Sequence, residues 1–412
     1  MRNVTLAMLG VAVLVGWSGS VAAQTLTVSR WAGPQADAQK VLLDQYAAEH
    51  GIEIRFDAID YGQLKQKQTL NMSTKTGEYD LIYVPEAWFG EYSEAGYLEP
   101  LTKYVENPEL TGENWDMLDF SRAGMDVYSD ADGALKALPY FAQTPLLVYN
   151  KTMLEEAGFE PPQTWDELLA VAKYFKEQGT GIALPFRQGS AITNVLAVLL
   201  AGNETDFFAA DGKLDLTNPA VVETVNFMQD LAQYGFNGSN GWHWDEVNKV
   251  LQFGQAPLGI TASGLFTALE DEDQSNVAGQ LGYAPIPHNK RVAGLLQMWG
   301  WAIPADSKNK EEAFKLAAWL TSKEALTAMS EADPSFISFR QSLGSDPALA
   351  ATAPWLQAAN EALASGVTLP LRPAAPELLT SLATGLSSVV TDPNADVGGM
   401  LSGVQDAEAG KF

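Results

Sequence analysis

Short apolar segments alternate with longer amphipathic segments in the early part of the chain. Thr25–Trp31 is typical of a buried strand, and the pattern that follows predicts a helix over Asp37–His50 that ends at Gly51. Apolar and polar positions then alternate over 52–56, which predicts a second strand, and Asp80–Val84 predicts a third. Strands that alternate with helices in this way predict a parallel sheet with helices on both faces.

A second α/β region is predicted farther along the chain. Thr164 and Glu167 form the T-x-x-E pattern of a capping box, which predicts a helix start at that point. Asn218 followed by Pro219 is another strong helix start, because the asparagine can cap and the proline suits the first turn.

Three further segments complete the predicted elements. Ile182–Phe186 predicts a strand, and the apolar segment Leu295–Pro304 predicts a strand that returns to the first region. A helix is predicted to start at Ser307 after that strand, and Trp165, at a helical position, is expected to be structural.

The length of the chain, 412 residues, is more than one ordinary hydrophobic core supports, so two lobes are expected. We find no internal repeat and no low-complexity linker, which indicates that several chain crossings join the lobes. The segment from Pro347 onward is predicted to be helical and to return to the second lobe. The predicted division assigns residues 24–138 and 294–345 to the first lobe and residues 139–293 and 346–412 to the second.

The amino terminus has the pattern of a secretory signal peptide over residues 1–23. Arg2 precedes an apolar segment over Val4–Trp17, and the small residues before position 24 suit cleavage after Ala23. A first buried helix is the alternative interpretation. No segment reaches the roughly 18 consecutive apolar residues that span a bilayer. We therefore expect a periplasmic protein without membrane insertion.

Composition excludes several classes of site and partner. The absence of cysteine excludes disulfides, thiolate metal sites and a lipid anchor on cysteine. The formal net charge of −26 repels phosphate backbones, so nucleic acid is not an expected partner. Because His50, His243 and His288 lie far apart in sequence, we expect no metal site and no cofactor. Motifs for nucleotide binding, zinc proteases and serine hydrolases are absent, so no catalytic residue is predicted.

Tryptophans concentrate in predicted loops and at strand ends. Indole rings suit the flat C–H faces of sugars, and neighbouring carboxylates, amides and guanidinium groups suit the hydroxyls. Gln35 follows Trp31 closely and Glu86 precedes Trp88, while Arg187 follows a predicted strand and Arg372 lies between prolines. Core packing is the alternative role of any single tryptophan, and a surface ion pair is the alternative role of each arginine. The tryptophans in question are Trp31, Trp88, Trp242, Trp244, Trp299 and Trp301.

Four segments, in this order and at this spacing, resemble periplasmic sugar-binding proteins that serve ABC importers, the maltose-binding-protein-like solute-binding family 1. Residues 25–39 resemble the first strand and ligand loop of that family, and residues 77–101 resemble its third strand and following helix. Residues 138–168 resemble its first hinge, and residues 299–325 its returning strand and helix. The similarity covers nearly the whole mature chain.

The resemblance implies an α/β fold of two lobes, each a mostly parallel sheet flanked by helices, around a cleft that closes on a carbohydrate. It implies a monomer that delivers this ligand to the transmembrane permease of an ABC transporter and catalyses no reaction. Relatives often have tryptophan near the position of Ser263, so the resemblance implies either a wider pocket or stacking by Trp242 or Trp244 instead. The implied contacts, with Trp242 added, are Trp31, Gln35, Tyr61, Glu86, Trp88, Gln143, Arg187, Trp242, Ser263, Trp299 and Arg372.

Two other classes of function stay open at this point. A secreted polysaccharide hydrolase or lyase would use a carboxylate pair, and acidic residues are abundant enough to supply one. The same fold could also carry a polyamine or an organic anion. The aromatic and arginine content of the loops favours a sugar, a polyol or an acidic sugar derivative.

Overall fold

The computed structural model describes residues 24–32, 35–112 and 115–412. The predicted signal peptide, residues 1–23, lies outside the described residues. The strands are β1 (Thr25–Trp31), β2 (Glu53–Ile59), β3 (Leu81–Pro85), β4 (Ala137–Gln143), β5 (Pro145–Asn150), β6 (Leu258–Ala262), β7 (Leu281–Ala284), β8 (Gln297–Ala302) and β9 (Ile337–Ser338).

Helices cover most of the remaining described chain, with short 3₁₀ turns at Met117–Asp119, Ser239–Gly241, Ser263–Leu265 and Ala409–Lys411. The helices are α1 (Ala36–His50), α2 (Tyr61–Thr74), α3 (Glu86–Glu94), α4 (Thr102–Val105), α5 (Pro108–Thr111), α6 (Arg122–Val127), α7 (Lys151–Ala157), α8 (Trp165–Glu177), α9 (Ser190–Gly202), α10 (Pro219–Gln233), α11 (Trp244–Gln252), α12 (Thr267–Glu270), α13 (Lys310–Leu320), α14 (Lys323–Ala332), α15 (Gln341–Gly344), α16 (Pro347–Thr352), α17 (Leu356–Ala364), α18 (Ala375–Thr391) and α19 (Val397–Glu408).

In the described ranges, six strands form a first sheet in the order β2-β1-β3-β8-β4-β9. β1 pairs parallel with β2 and β3, as the sequence predicts, whereas β8 pairs antiparallel with both β3 and β4. The second sheet has the order β6-β5-β7, and both of its pairings are antiparallel. The first sheet is therefore mixed and the second is antiparallel, whereas each was expected to be mostly parallel. The physical reason is that strands such as β8 enter a sheet from the other half of the molecule, without a helical crossover on its face.

The chain passes from the first sheet to the second at Thr144, between β4 and β5. The predicted boundary at 138/139 therefore falls inside β4. Helices α16 and α17 pack on α14, α15 and α6 around the first sheet, and α17 also contacts β5 and β7. The chain reaches the helices beside the second sheet with α18, which packs on α9 and α10. The exact division into lobes stays a prediction.

Local sequence signals decide several helix starts. The Thr164 hydroxyl accepts from the Glu167 N–H at 3.3 Å and the Glu167 carboxylate accepts from the Thr164 N–H at 3.0 Å, which confirms the capping box. The helix predicted to start at Ser307 begins at Lys310 instead. The Ser307 hydroxyl is used otherwise, because it donates to Asp80 at 2.7 Å and accepts from the Asn309 N–H.

The segment predicted as a strand over 182–186 forms only isolated bridges, from Ile182 to Gly235 and from Ala183 to Gly259. Helix α9, which follows it, is buried on nearly every side. Trp165 stacks on Phe227 at 4.2 Å, as expected for a structural tryptophan. Within the described residues, no helix is both long enough and apolar enough to cross a membrane.

Candidate ligand site

An aromatic cluster lies at the edge of the first sheet where its parallel strands end. Trp31 is the last residue of β1, and Tyr61 opens the helix that follows β2. Trp88 lies in the first turn of α3, directly after β3. The carboxyl ends of neighbouring parallel strands meet at one edge, so these rings come together although they are distant in sequence. The ring centroids of Trp31 and Tyr61 are 5.7 Å apart, and those of Tyr61 and Trp88 are 5.1 Å apart.

Trp299 reaches the same edge because β8 runs antiparallel to β3, with Trp299 paired to Pro85. Its ring stacks on Trp31 at 6.1 Å with an interplanar angle of 21°. Phe141 stacks on the other side of this arrangement, 5.2 Å from Trp299. The predicted residues Trp31, Tyr61, Trp88 and Trp299 thus belong to one cluster, which we call the aromatic edge.

The aromatic edge keeps part of its surface open. Tyr61 is 41% exposed and Trp88 is 8% exposed, while Trp31 and Trp299 are half-buried. The Trp299 Nε1–H is buried and has no hydrogen-bond partner in the described part of the chain. Half-buried rings beside an unsatisfied donor suit a ligand that offers both C–H faces and oxygen atoms.

Glu86 places a carboxyl group within this aromatic surface. It is the first residue of α3, where the helix dipole favours a negative charge, and its Oε2 accepts from the Met298 N–H at 2.9 Å. Burial raises the pKa of Glu86 to about 7, against the lowering effect of backbone N–H groups. The pKa of Tyr61 is raised as well, chiefly by burial and to a smaller extent by the negative charge of Glu86. Glu86 can therefore accept or donate a hydrogen bond near neutral pH.

Gln35 lies just before α1 and is nearly inaccessible, with 4% of its surface exposed. Its backbone carbonyl accepts from the Arg30 guanidinium at 3.0 Å, and its side-chain Oε1 has no partner in the described ranges. Gln35 therefore follows Trp31, a member of the aromatic edge, closely in the chain. Its side-chain amide oxygen has no hydrogen-bond partner among the described residues.

Gln143 and Ser263 meet where the chain crosses between the sheets. The Ser263 hydroxyl accepts from the Thr144 N–H at 3.1 Å, and the Thr144 hydroxyl accepts from the Leu295 N–H at 3.1 Å. Gln143 packs against Gly264, where an added Cβ would lie 2.9 Å from the amide nitrogen. Ser263 is fully buried, so its oxygen already has a structural role at the crossing.

Arg187 and Trp242 lie together beside the second sheet. The Arg187 N–H donates to the Trp242 carbonyl at 2.9 Å, and Arg187 Nη1 is 3.5 Å from Glu246 Oε1. The Trp242 ring packs on Phe236, with centroids 5.3 Å apart. These two predicted contacts are therefore neighbours, near the first turns of α9 and α11.

Arg372 is placed differently from the other predicted contacts. Its guanidinium lies 4.2 Å from the centroid of Phe208 and donates to the Gly212 carbonyl at 2.5 Å. Its partners thus belong to the turn around 207–214 and include no other residue of the predicted site. Its role as a ligand contact stays a prediction.

Phe141 packs against the aromatic edge through Trp299, a contact that the sequence did not reveal. β4 contains an irregularity between Pro139 and Phe141, so that Pro139 pairs with Gly300 and Phe141 pairs with Trp299. This extra residue directs Phe141 onto Trp299. The only available signal was its place two residues before Gln143.

Comparison with known families decides what this arrangement belongs to. The sequence model of the bacterial extracellular solute-binding protein family matches residues 31–327, which include the whole aromatic edge. The chain belongs to this family. Members of the extracellular solute-binding protein family are binding proteins.

Individual relatives resemble this extracellular solute-binding protein over most of their length. The mannitol-binding protein of Pseudomonas aeruginosa is 26% identical over 311 residues, 73% of this chain and 70% of the relative. A probable amino-acid ABC transporter periplasmic-binding protein of Sinorhizobium fredii is 26% identical over 305 residues, 72% of this chain and 68% of the relative.

A solved structure confirms the two-lobe α/β fold. It is the crystal structure of an ABC transporter solute-binding protein from Agrobacterium radiobacter K84 in complex with ribitol. It is 25% identical, has a TM-score of 0.73 and covers 94% of this chain and 99% of its own.

In the described residues, no group of three or more histidines, cysteines or carboxylates is placed to hold a metal ion.

Proposed function

We propose that this protein captures a small sugar or polyol between its two lobes and delivers it to the permease of an ABC transporter. The observation that carries the proposal is the aromatic edge, where partly open ring faces lie close to the carboxyl group of Glu86. The names of two relatives support the ligand class, since one binds mannitol and another was crystallised with ribitol.

The lobe beside the first sheet supplies ring faces from Trp31, Tyr61, Trp88 and Trp299, and Glu86 bonds a hydroxyl. On the opposite lobe, Arg187 and Trp242 contact the ligand once the cleft closes. Gln35 adds a contact from the first lobe, and Gln143, Ser263 and Arg372 supply further ones. A ligand that touches both lobes only in the closed state shifts the population toward that state. The lobes correspond to residues 24–138 with 294–345 and residues 139–293 with 346–412.

The remaining features of the proposal follow from this role. Residues 1–23 direct export and are removed after Ala23, which leaves a monomer in the periplasm. The protein performs no chemistry on its ligand and binds no nucleic acid. Its partners are the ligand and the transmembrane permease, which recognises the closed form.

Isothermal titration of the purified protein with D-mannitol, ribitol, maltose and a set of amino acids tests the proposal. We expect micromolar or tighter binding of a sugar or polyol, a free energy of roughly −8 kcal/mol or more negative. A thermal-shift screen at 100 times the dissociation constant should show about 2.7 kcal/mol of stabilisation. Binding of an amino acid alone, or chromatographic evidence that the bound sugar has been cleaved, would contradict the proposed ligand class or the absence of catalysis.

A further inference from the structure

Arg30 is a charged side chain buried next to the aromatic edge, and most of its donors are unused. Its exposed fraction is 0%. Nη1 donates to the Gln35 carbonyl at 3.0 Å, while Nε and Nη2 have no hydrogen-bond partner in the described residues. None of the ion pairs within 24–32, 35–112 and 115–412 includes Arg30.

The surroundings of Arg30 are aromatic rather than acidic. Its guanidinium carbon lies 4.7 Å from the ring centroid of Tyr83, and Tyr83 lies 4.9 Å from Trp301. Burial raises the pKa of Tyr83 and of Tyr140, and the nearby guanidinium opposes that rise in both. The Tyr83 hydroxyl and the Trp301 Nε1–H are also buried without partners in the described chain. Among the described residues, the guanidinium thus meets one carbonyl and one aromatic face, and no carboxylate pairs with its charge.

A buried charge without a carboxylate costs several kcal/mol of folding free energy, and an apolar side chain of similar volume would avoid that cost. The one side-chain hydrogen bond of Arg30 within the described ranges joins the end of β1 to the residue before α1. The Gln35 carbonyl also accepts the first helical bond of α1, from Gln39 N–H at 2.9 Å. Arg30 thus fixes Gln35 relative to Trp31, its own neighbour in the chain.

We propose that Arg30 is a positioning residue: its bond to Gln35 holds Gln35 and the start of α1 in place relative to Trp31 at the end of β1, in the arrangement that receives ligand, at the expense of overall stability. The binding half of this inference rests on the proposed function. The structural half does not, because it concerns the junction of β1 and α1 in the free protein. For one substitution of Arg30, the structural half predicts a gain in stability, whereas the binding half predicts a loss of affinity.

R30M is the decisive variant, because methionine keeps much of the volume and removes the charge. We expect its melting temperature to rise by about 2–8 °C as the uncompensated charge disappears. We expect affinity for D-mannitol or ribitol, whichever the wild type binds, to fall about 5- to 30-fold, since the loosened junction must be ordered on binding. In the free protein, hydrogen exchange over residues 35–39 should accelerate, while the carboxyl-terminal turn of α1 should exchange as in the wild type.

Two further variants serve as controls. R55M removes an exposed arginine of β2, the neighbouring strand, where Arg55 pairs with Thr27, and it should change neither the melting temperature nor the affinity. R30K keeps the charge and one donor, so its affinity should lie closer to the wild type than that of R30M, without a rise in melting temperature.

Several results would overturn the inference. These are an R30M protein that fails to fold or melts below the wild type, unchanged exchange over residues 35–39, or wild-type affinity in R30M. A wild-type protein that binds no sugar or polyol would refute the proposed function instead. The exchange and melting measurements would then still decide whether Arg30 fixes the junction.

Discussion

Two arginines of this protein are equally buried but differently surrounded. Arg340 is 1% exposed, and its Nε and Nη1 donate to the carbonyls of Thr321 and Asp116 at 2.6 and 3.0 Å. It also pairs with Asp119 at 3.4 Å and lies over the ring of Phe120 at 4.3 Å. In the part of the chain that the structure describes, the Arg30 side chain has the ring contact but one hydrogen bond and no carboxylate partner.

The difference shows how the same side chain can serve stability in one place and oppose it in another. Arg340 joins the 116–120 segment to α13 and β9, and its charge is compensated by an acid and by carbonyl dipoles. Arg30 is retained beside the aromatic edge without such compensation. A buried charge that is poorly satisfied is expected where the protein needs a defined geometry for function.

The largest effect is expected when Arg340, the arginine whose charge is compensated, is replaced. R340M should destabilise the protein by about 3–5 kcal/mol, because the Thr321 and Asp116 carbonyls lose a donor and Asp119, which keeps its bonds to Ser342, loses its cation. Chemical denaturation of R340M and R30M side by side measures the contrast. If both variants move the free energy of unfolding in the same direction, the two sites do not differ as described.

The next largest effect is expected for ligand binding at the aromatic edge. W299A should weaken binding of the sugar or polyol by about 1–3 kcal/mol, a scale taken from aromatic stacking on nucleobases. Isothermal titration measures it, and W319A is a matched control because Trp319 packs on Tyr46 outside the aromatic edge. Equal affinities of W299A and the wild type would remove Trp299 from the site.

The buried carboxyl of Glu86 gives a pH dependence with a defined sign. Its pKa rises from 4.5 to about 7 on folding, so the folded protein binds this proton more tightly than the unfolded chain. The stabilising contribution of the protonated form is complete below about pH 4.5 and is lost as the pH rises toward 7. E86Q should therefore gain about 1–2 kcal/mol relative to the wild type between these pH values, a magnitude reduced from the full shift because the side chain is partly exposed.

Denaturation curves collected from pH 4 to 8 (roughly one curve per pH unit) test the dependence on Glu86. E94Q, at the exposed end of the same helix, is the matched control and should follow the wild-type curve. A constant difference between E86Q and the wild type across this range would show that Glu86 does not titrate as described.

The smallest expected effect concerns an exposed arginine. Arg187 and Glu246 are 48% and 42% exposed and 3.5 Å apart, so R187M should change the free energy of unfolding by less than about 0.5 kcal/mol. Its affinity for ligand should nevertheless fall if Arg187 closes onto the bound sugar. A stability loss comparable to that of R340M would mean that exposure does not separate these arginines.

Much of the fold could be predicted because local signals were strong. The span of β1, the end of α1 at Gly51 with φ of 66° and the capping box of α8 all agree with the sequence pattern. Ser307 misled the prediction of α13, because its hydroxyl bonds to Asp80 from a distant strand. A cap can be recognised from neighbouring residues, whereas a competing partner 227 positions away cannot.

The candidate site likewise contains some residues that could be predicted from the sequence and others that could not. Trp31, Tyr61 and Trp88 could be predicted as neighbours because each follows a parallel strand, and Trp299 could be added from the family resemblance. Phe141 could not, because its orientation depends on an irregularity in β4 that only pairing with β8 reveals. Nor could the bond from Arg30 to Gln35, because an arginine in an apolar strand gives no sign of which carbonyl it will meet.

The sequence by itself determined the α/β class, the order of the early strands and helices, and the residue types at the strand ends, because these depend on periodicity and on contacts a few residues apart. Only the tertiary structure decided that β8 enters the first sheet antiparallel and that four rings and Glu86 share one surface. It also decided that one buried arginine is compensated and the other is not. Those outcomes depend on which distant segments pack together, and burial converts that packing into shifted pKa values and uncompensated charge.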